Sequence, residues 1–250
     1  MKICIVNPYV VSNAEAGNKI SQYHEQSARL CSSYRKHKPS TPHRFIVVAS
    51  GGILPDKAVE LYDGIANEVI EYSGAGWAEG AFIAAARHAT DQDLIVCLIS
   101  SIRFHRDGWL ERLVEAKTHF KTGLFGAMGS FEDSAHIRSC AIACSPSLLA
   151  AYPHTVESLE SAHAFEHDPV NSFTKFAESL GEPPIQVTWD DFCKKEDWRT
   201  PRNIFRRGDQ SNCLVWDHHC DAYFEADDSD KKMLESRTDG NQSLRICFDK

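Results

Sequence analysis

The sequence predicts an α/β fold: a single three-layer α/β/α domain with a mostly parallel central sheet. Two observations carry this. Short runs of branched aliphatic residues recur along the first half, in KICIV, FIVVA and LIVCLI, and runs that short and that apolar mark strands buried on both faces. Each run is followed by a polar or glycine-containing turn and then by a segment with helical spacing. Strands alternating with helices in this way indicate a parallel sheet covered by helices.

The elements follow in order. Lys2 to Val6 is the first strand, and Asn7-Pro8 is expected to end it. Ile20 to Arg35 has helical spacing through Tyr23, Ser27, Leu30 and Tyr34. His43 to Gly52 is the second strand, with Ser50-Gly51-Gly52 turning away from its end. Ala58 to Ile65 reads as a short helix and Glu68 to Tyr72 as a third strand. A Gly74 to Trp77 loop leads into an alanine-rich helix, Ala78 to Ala89. Leu94 to Ile99 is the most apolar strand. Polarity switches abruptly at Ser100-Ser101, and a helix is expected from Trp109, with Asp107-Gly108 at its cap and Trp109, Leu113, Ala116 and Phe120 on one face.

The second half is less regular. Gly123 to Met128 is a short apolar piece, and His136 to Cys144 reads as one strand. Ser145-Pro146 is a helix start, a capping serine followed by proline at the first helical position. Ser172 to Leu180 is helical and closed by Gly181, and Ile185 to Trp189 is a last strand. Asp190 to Asp209 is charged and irregular, and the end of the chain reads as peripheral.

The totals restrict the function. A chain of 250 residues can bury a full core in one domain. The net charge of -8 argues against general nucleic-acid binding. No apolar stretch approaches the roughly 18 residues needed to span a bilayer. Nine cysteines, several in apolar surroundings and none in a C-x-x-C pair, read as buried free thiols of a reduced, cytoplasmic protein; zinc binding is the rival reading.

The order of motifs resembles the GT-A glycosyltransferases, which use nucleotide-sugar donors. It runs from a strand with VVAS, through EVIEY and a G-x-G-x-x-x-G-A helix, to DLIVCLISS and a helix beginning GWLERL. In the second half, Gly129 to Leu149, Phe165 to Phe176 and Trp216 to Tyr223 are similar to a bacterial family of surface-glycan loci. The resemblance implies a nucleotide-binding half at about 1–110, an acceptor and catalytic half at about 120–225, and a peripheral tail at 226–250. It also implies a nucleoside-diphosphate sugar donor and a glycan or other hydroxyl acceptor. In that fold the fourth strand ends in an Asp-x-Asp that holds Mg²⁺ or Mn²⁺. Here Ser100-Ser101-Ile102 stands in its place, and serines cannot supply the charge that hard cations require. The reading is therefore a glycosyltransferase without an Asp-x-Asp metal. An inactive nucleotide-sugar-binding scaffold on the same fold is the alternative. A metal hydrolase built on His136, Asp217, His218 and His219 is the third.

Candidate site residues follow from position. Ligands of open α/β sheets lie beyond the carboxyl ends of the strands. Ser100, Ser101, Arg103 and His105 follow the fourth strand, and hydroxyls or cations there suit phosphate or ribose; the alternative is a polar surface turn. Asn7, Ser50 and Glu79 sit at neighbouring strand ends or in the next turn, where the resemblance implies nucleotide contacts; ordinary turn chemistry is the alternative. His136 and Arg138, two apart on the expected strand, need anionic partners if buried. Arg206 and Arg207 belong to a polar run that suits a lid over a diphosphate or a charged loop. The resemblance implies a base for the acceptor hydroxyl near Glu166, with Asp168 second. Asp217 and His219 are weak candidates for a metal.

Overall fold

The computed structural model describes residues 1–12, 20–74 and 77–241. Residues 75 and 76, within the Gly74 to Gly80 segment, lie outside the described residues. The first half consists of β1 (Ile3–Val10), α1 (Ile20–Lys36), β2 (Arg44–Ser50), α2 (Asp56–Tyr62), β3 (Glu68–Tyr72), α3 (Ala78–His88), β4 (Leu94–Leu98) and α4 (Trp109–Phe120). The second half continues with β5 (Leu124–Gly126), β6 (Gly129–Ser130), β7 (His136–Ile137), β8 (Ala141–Cys144), α5 (Pro146–Ala150), α6 (Leu159–His167), α7 (Phe173–Ser179), β9 (Pro184–Val187) and β10 (Phe192–Lys194). It closes with α8 (His218–Glu225) and α9 (Asp228–Thr238).

One sheet carries both halves, in the order β10-β9-β5-β8-β4-β1-β2-β3. Strands β1 to β4 are mutually parallel; β8 runs antiparallel to both β4 and β5. Alternate residues of each strand face opposite layers, as the pleat requires. Ile3, Ile5, Phe45, Val47 and Val96 pack against Leu30, Tyr34, Tyr62, Trp109 and Leu113 of α1, α2 and α4. Cys4, Val6, Ile46, Val48 and Cys97 pack against Phe82, Leu149, Phe165 and Phe173 of α3, α5, α6 and α7. The expected three layers are present. The eight cysteines among the described residues are all buried, and none forms a disulfide.

Three expectations need correction. Strand β1 does not end at Asn7-Pro8 but runs on to Val10. Its pairing with β4 stops at Val6 with Cys97, so beyond that point the β4 side is a local edge. Pro8 turns its carbonyl to that edge, where it accepts a bond from Ser100 Oγ at 2.9 Å. Its ring nitrogen faces the same way, so no ladder bond is lost.

The segment His136 to Cys144 is not one strand. It splits into β7 and β8 around a turn at Ser139-Cys140. The Ser139 amide donates to Glu166 Oε2 at 2.7 Å instead of to a neighbouring strand. Glu166-His167-Asp168 lies between two helices: α6 starts from a reciprocal Ser158–Ser161 capping box and closes on His167, and α7 follows from its cap at Ser172. Helices α8 and α9 lie where no helix was expected. Each begins at an aspartate, Asp217 or Asp227, whose side chain accepts two backbone N–H bonds.

Two local readings hold. Ser145 caps α5 by accepting from Leu148 N, with Pro146 at the first position. Gly181, at φ 77°, closes α7 in the left-handed region that glycine reaches without strain. Helix α9, in the stretch expected to be peripheral, is tied down by Phe131 N donating to Thr238 O at 2.8 Å and by an Arg237–Glu132 ion pair.

Candidate active site

Strand order reverses at β1. Strands β2 and β3 follow on one side, whereas β4 and the second half lie on the other. Such a switch point leaves a crevice past the carboxyl ends of the two strands that flank it. A cleft of about 370 Å³ occupies that place. Pro8 and Val10 at the end of β1 form its base, with Ile99, Ser100 and Ser101 after β4. One wall is Gln22, Tyr23 and Gln26, from one face of α1; the other is Trp77, Ala78 and Glu79 at the start of α3, and His218 of α8 closes the rim. Two aromatic rings, two amides, hydroxyls and a carboxyl therefore face one cavity. Such a mixture of apolar walls and a few polar groups is that of a small-molecule site.

Glu79 connects the cleft to a buried polar network. Its Oε1 lies 2.8 Å from Ser139 Oγ, and the same hydroxyl lies 2.6 Å from Glu166 Oε2. A hydroxyl has one proton, so it cannot donate to two ionised carboxylates at once. Both bonds form together when Glu79 is protonated and donates to Ser139, which donates to Glu166. Burial pushes the Glu79 carboxyl up to about 7, and the nearby charge of Glu166 adds to the effect. Glu166 is the ionised member. Burial alone would raise its pKa, but the Arg138 charge and then the hydrogen bond from His167 overcome that and hold it well below the usual carboxylate range. Arg138 Nη2 lies 3.3 Å from Glu166 Oε1, and His167 Nε2 lies 3.1 Å from it.

Beside this network, His219 sits between two buried arginines. Arg138 Nη2 is 2.6 Å from its Nε2, and Arg206 Nη2 is 3.3 Å from its Nδ1. Burial and then the Arg138 charge push the imidazole pKa far down, so His219 is neutral. Arg206 is anchored on Glu132 at 2.8 Å.

The predicted residues thus divide. Glu79, Ser100 and Ser101 line the cleft. Ser101 Oγ lies 3.1 Å from His218 Nδ1. Glu166, His136, Arg138, Arg206 and His219 gather beneath or beside it in the buried network. The others are held elsewhere. Asn7 is buried; its Nδ2 donates to Leu98 O at 2.7 Å, and its Oδ1 accepts from Tyr62, so it ties β1 to the end of β4. Ser50 is buried at the end of β2, its hydroxyl unpartnered. Arg103 forms a two-pronged ion pair with Asp221 and lies over Trp216. His105 stacks on Trp216 at 4.2 Å and donates from Nε2 to Cys213 O. Arg207 is bonded to Thr200 O and Asp239. Asp168 accepts from the backbone of Val170 and Asn171 at the end of α6.

The residues at the Asp-x-Asp position do not fit Mg²⁺ or Mn²⁺. These hard cations need several oxygen ligands, mostly carboxylate. Ser100 Oγ is committed to Pro8 O, and Ile102 is fully buried. Asp217, His218 and His219 are grouped closely enough to share an ion. However, Asp217 Oδ1 caps α8, and both ring nitrogens of His219 are occupied by guanidinium groups, which leaves neither free for an ion. His136 groups with Glu166 and His167 rather than with these three, so the residues of the expected hydrolase centre belong to two clusters.

Tyr23, Trp77, Ser139 and His167 were not singled out from sequence. Tyr23 and Trp77 look like ordinary helix and loop residues, and Ser139 lies inside what reads as a strand. His167 stands between Glu166 and Asp168 in sequence, but only the fold brings it to Glu166 Oε1.

No protein-family model matches the chain, and no curated protein sequence matches it. Solved structures do. The chain has the fold of the GT-A glycosyltransferases. It is similar to the mannosyltransferase PcManGT from Pyrobaculum calidifontis, solved with GDP-Man and Mn²⁺: 15% identity over 94% of this chain and 72% of that one, with a TM-score of 0.51. Weaker similarities reach S. aureus TarS 1-349, at 13% identity and TM-score 0.45, and the galactosyltransferase LgtC, at 11% and 0.42. The match covers 65% of this chain and 53% of the TarS fragment, and 58% of both chains for LgtC. Among the described residues no helix is long and apolar enough to cross a membrane.

Proposed function

We propose that the protein is a glycosyltransferase that binds a nucleoside-diphosphate sugar in the switch-point cleft and passes the sugar to a hydroxyl acceptor, without a metal at Ser100-Ser101. The observation that carries this is the Glu79 carboxyl, buried yet open to a cleft at the ends of β1 and β4. Tyr23 and Trp77 offer faces for a base or sugar ring. Ser101 and His218 offer donors to the diphosphate oxygens. Glu79 takes the acceptor proton, because a base works best with a pKa near the operating pH. The acceptor oxygen then bonds to the anomeric carbon. The bond from that carbon to the diphosphate oxygen breaks, and its electron pair leaves with the nucleoside diphosphate.

This reading moves the base from Glu166 to Glu79. Glu166, held by Arg138 and by two bonds from Ser139, supplies a fixed negative charge that keeps Glu79 basic. Asp168 has no part in it.

Calorimetric titration with UDP-, GDP-, dTDP- and CMP-sugars in EDTA is the test. Binding of at least one, with turnover lost and binding kept in Glu79→Gln, is expected. No binding of any donor, with or without Mn²⁺, would overturn the reading. Ser100 and Ser101 in place of carboxylates favour a second reading, a non-catalytic nucleotide-sugar-binding protein. It predicts binding with no transfer to any acceptor and no effect of Glu79→Gln on cellular function.

A further inference from the structure

We propose that His136, Glu166 and His167 form a binding site for a divalent transition-metal ion, with Zn²⁺ the preferred occupant. Zinc can bind whether or not a nucleotide does, but a cation on Glu166 would offset the charge that keeps Glu79 basic, so donor titration in EDTA and zinc titration without nucleotide test the two readings separately.

The argument starts from His136. The ring is fully buried, and its Nδ1 donates to Ser134 O at 2.8 Å. That bond fixes the tautomer and leaves a bare lone pair on Nε2, which has no hydrogen-bond partner. The lone pair faces Glu166 Oε1 at 3.7 Å. Two electron-rich atoms confronted in a dry interior repel each other, and a proton placed between them would span a gap too long for a hydrogen bond. An ion fits the gap. Ligands at about 2.0–2.1 Å around a tetrahedral Zn²⁺ lie roughly 3.3 Å from each other. The 3.7 Å from His136 and the 3.1 Å from His167 Nε2 to the same Oε1 bracket that value.

The supporting contacts are already made. Ser139 holds the other oxygen of Glu166 through its amide and its hydroxyl. Ser134, which orients His136, also donates its hydroxyl to His167 O at 2.8 Å. Outer contacts of this kind orient metal ligands. The donor set selects the ion: two imidazoles and one carboxylate suit Zn²⁺ and its neighbours, not Mg²⁺ or Ca²⁺. Three protein ligands leave a fourth position for water. Binding displaces the proton of His167 Nε2, which moves to Nδ1 or to solvent. Nδ1 faces Asp133 Oδ2 at 4.0 Å, and exposed His163 stacks on the same ring, so ions enter from that side. Arg138 shares Oε1 at 3.3 Å, as the second lone pair allows. Its charge lowers the affinity but is also faced by Asp217 and Glu132.

The experiment uses the full chain, stripped with EDTA and titrated with Zn²⁺ in competition with a chromophoric chelator. X-ray absorption at the zinc edge is then measured on the loaded protein. One equivalent is expected, ligated by two imidazoles and oxygen, without sulfur. His136→Ala and His167→Ala should each weaken binding about 100-fold or more, since loss of outer contacts alone costs 10–100-fold. His163→Ala and Asp133→Ala should change it by no more than about threefold, because they are not ligands. No zinc retained, sulfur in the absorption spectrum, or binding abolished by His163→Ala but not by His136→Ala would each overturn the proposal. Should the His136 variant fail to fold, the wild-type absorption spectrum decides alone.

Discussion

Replacing Glu79 by Gln tests whether the cleft holds a carboxyl whose pKa burial raises to about 7. Glutamine has the same shape, and its amide can donate to Ser139 as the protonated carboxyl does. The variant therefore mimics the neutral state and does not titrate. Burial raises the wild-type group from 4.5 to about 7. A raised carboxyl pKa means that the folded state binds more protons than the unfolded one between these values. The resulting stabilisation is complete below pH 4.5 and is lost as pH rises through about 7. Each unit corresponds to about 1.4 kcal/mol, so the whole shift amounts to about 3 kcal/mol. Relative to wild type, Glu79→Gln should gain about this much between about pH 4.5 and about pH 8, or roughly 6–12 °C in melting temperature for a chain of this size. Urea denaturation of both proteins across that range, in EDTA so that no cation sits on Glu166, gives the difference directly. A stability difference that stays constant with pH would refute the reasoning, because it would mean that Glu79 titrates as an exposed carboxylate.

Arg138→Met should cost about 3–5 kcal/mol, since it leaves Glu166 buried without its cation; adding Glu166→Gln should restore part of the loss, and denaturation of the two variants measures both. Trp77→Ala should weaken nucleotide-sugar binding about tenfold in calorimetry, as the loss of one ring face predicts, and should also lower the urea midpoint, because the indole packs against the core. Arg103→Ala should lower stability by no more than about 1 kcal/mol, because its pair with Asp221 is partly exposed, and should leave donor affinity unchanged within about twofold.

The sequence by itself determined the parallel strands β1 to β4, the four helices of the first half, and the strand ends at which the cleft lies. These rest on local patterns: the apolar runs of β1, β2 and β4, the Ser145-Pro146 cap and the Gly181 stop. The abrupt polarity change at Ser100 also marks a strand end wherever the strand is placed. Asp217 and Asp227, as caps of α8 and α9, were legible in principle, because an aspartate ahead of a short helix is a local signal. Only the tertiary structure decided which polar residues share a site. Arg103 and His105 stand beside Ser100 and Ser101 in sequence, yet they turn to Asp221, Cys213 and Trp216, which the chain brings in more than a hundred residues later. Glu79, Ser139 and Glu166 lie on three separate elements, and no spacing relates them. What joins them is the cost of burying a charged or polar group, which forces each to find a partner in three dimensions. For the same reason Asn7 is a strut rather than a ligand contact: the edge left by the end of β4 gave its amide a carbonyl to hold.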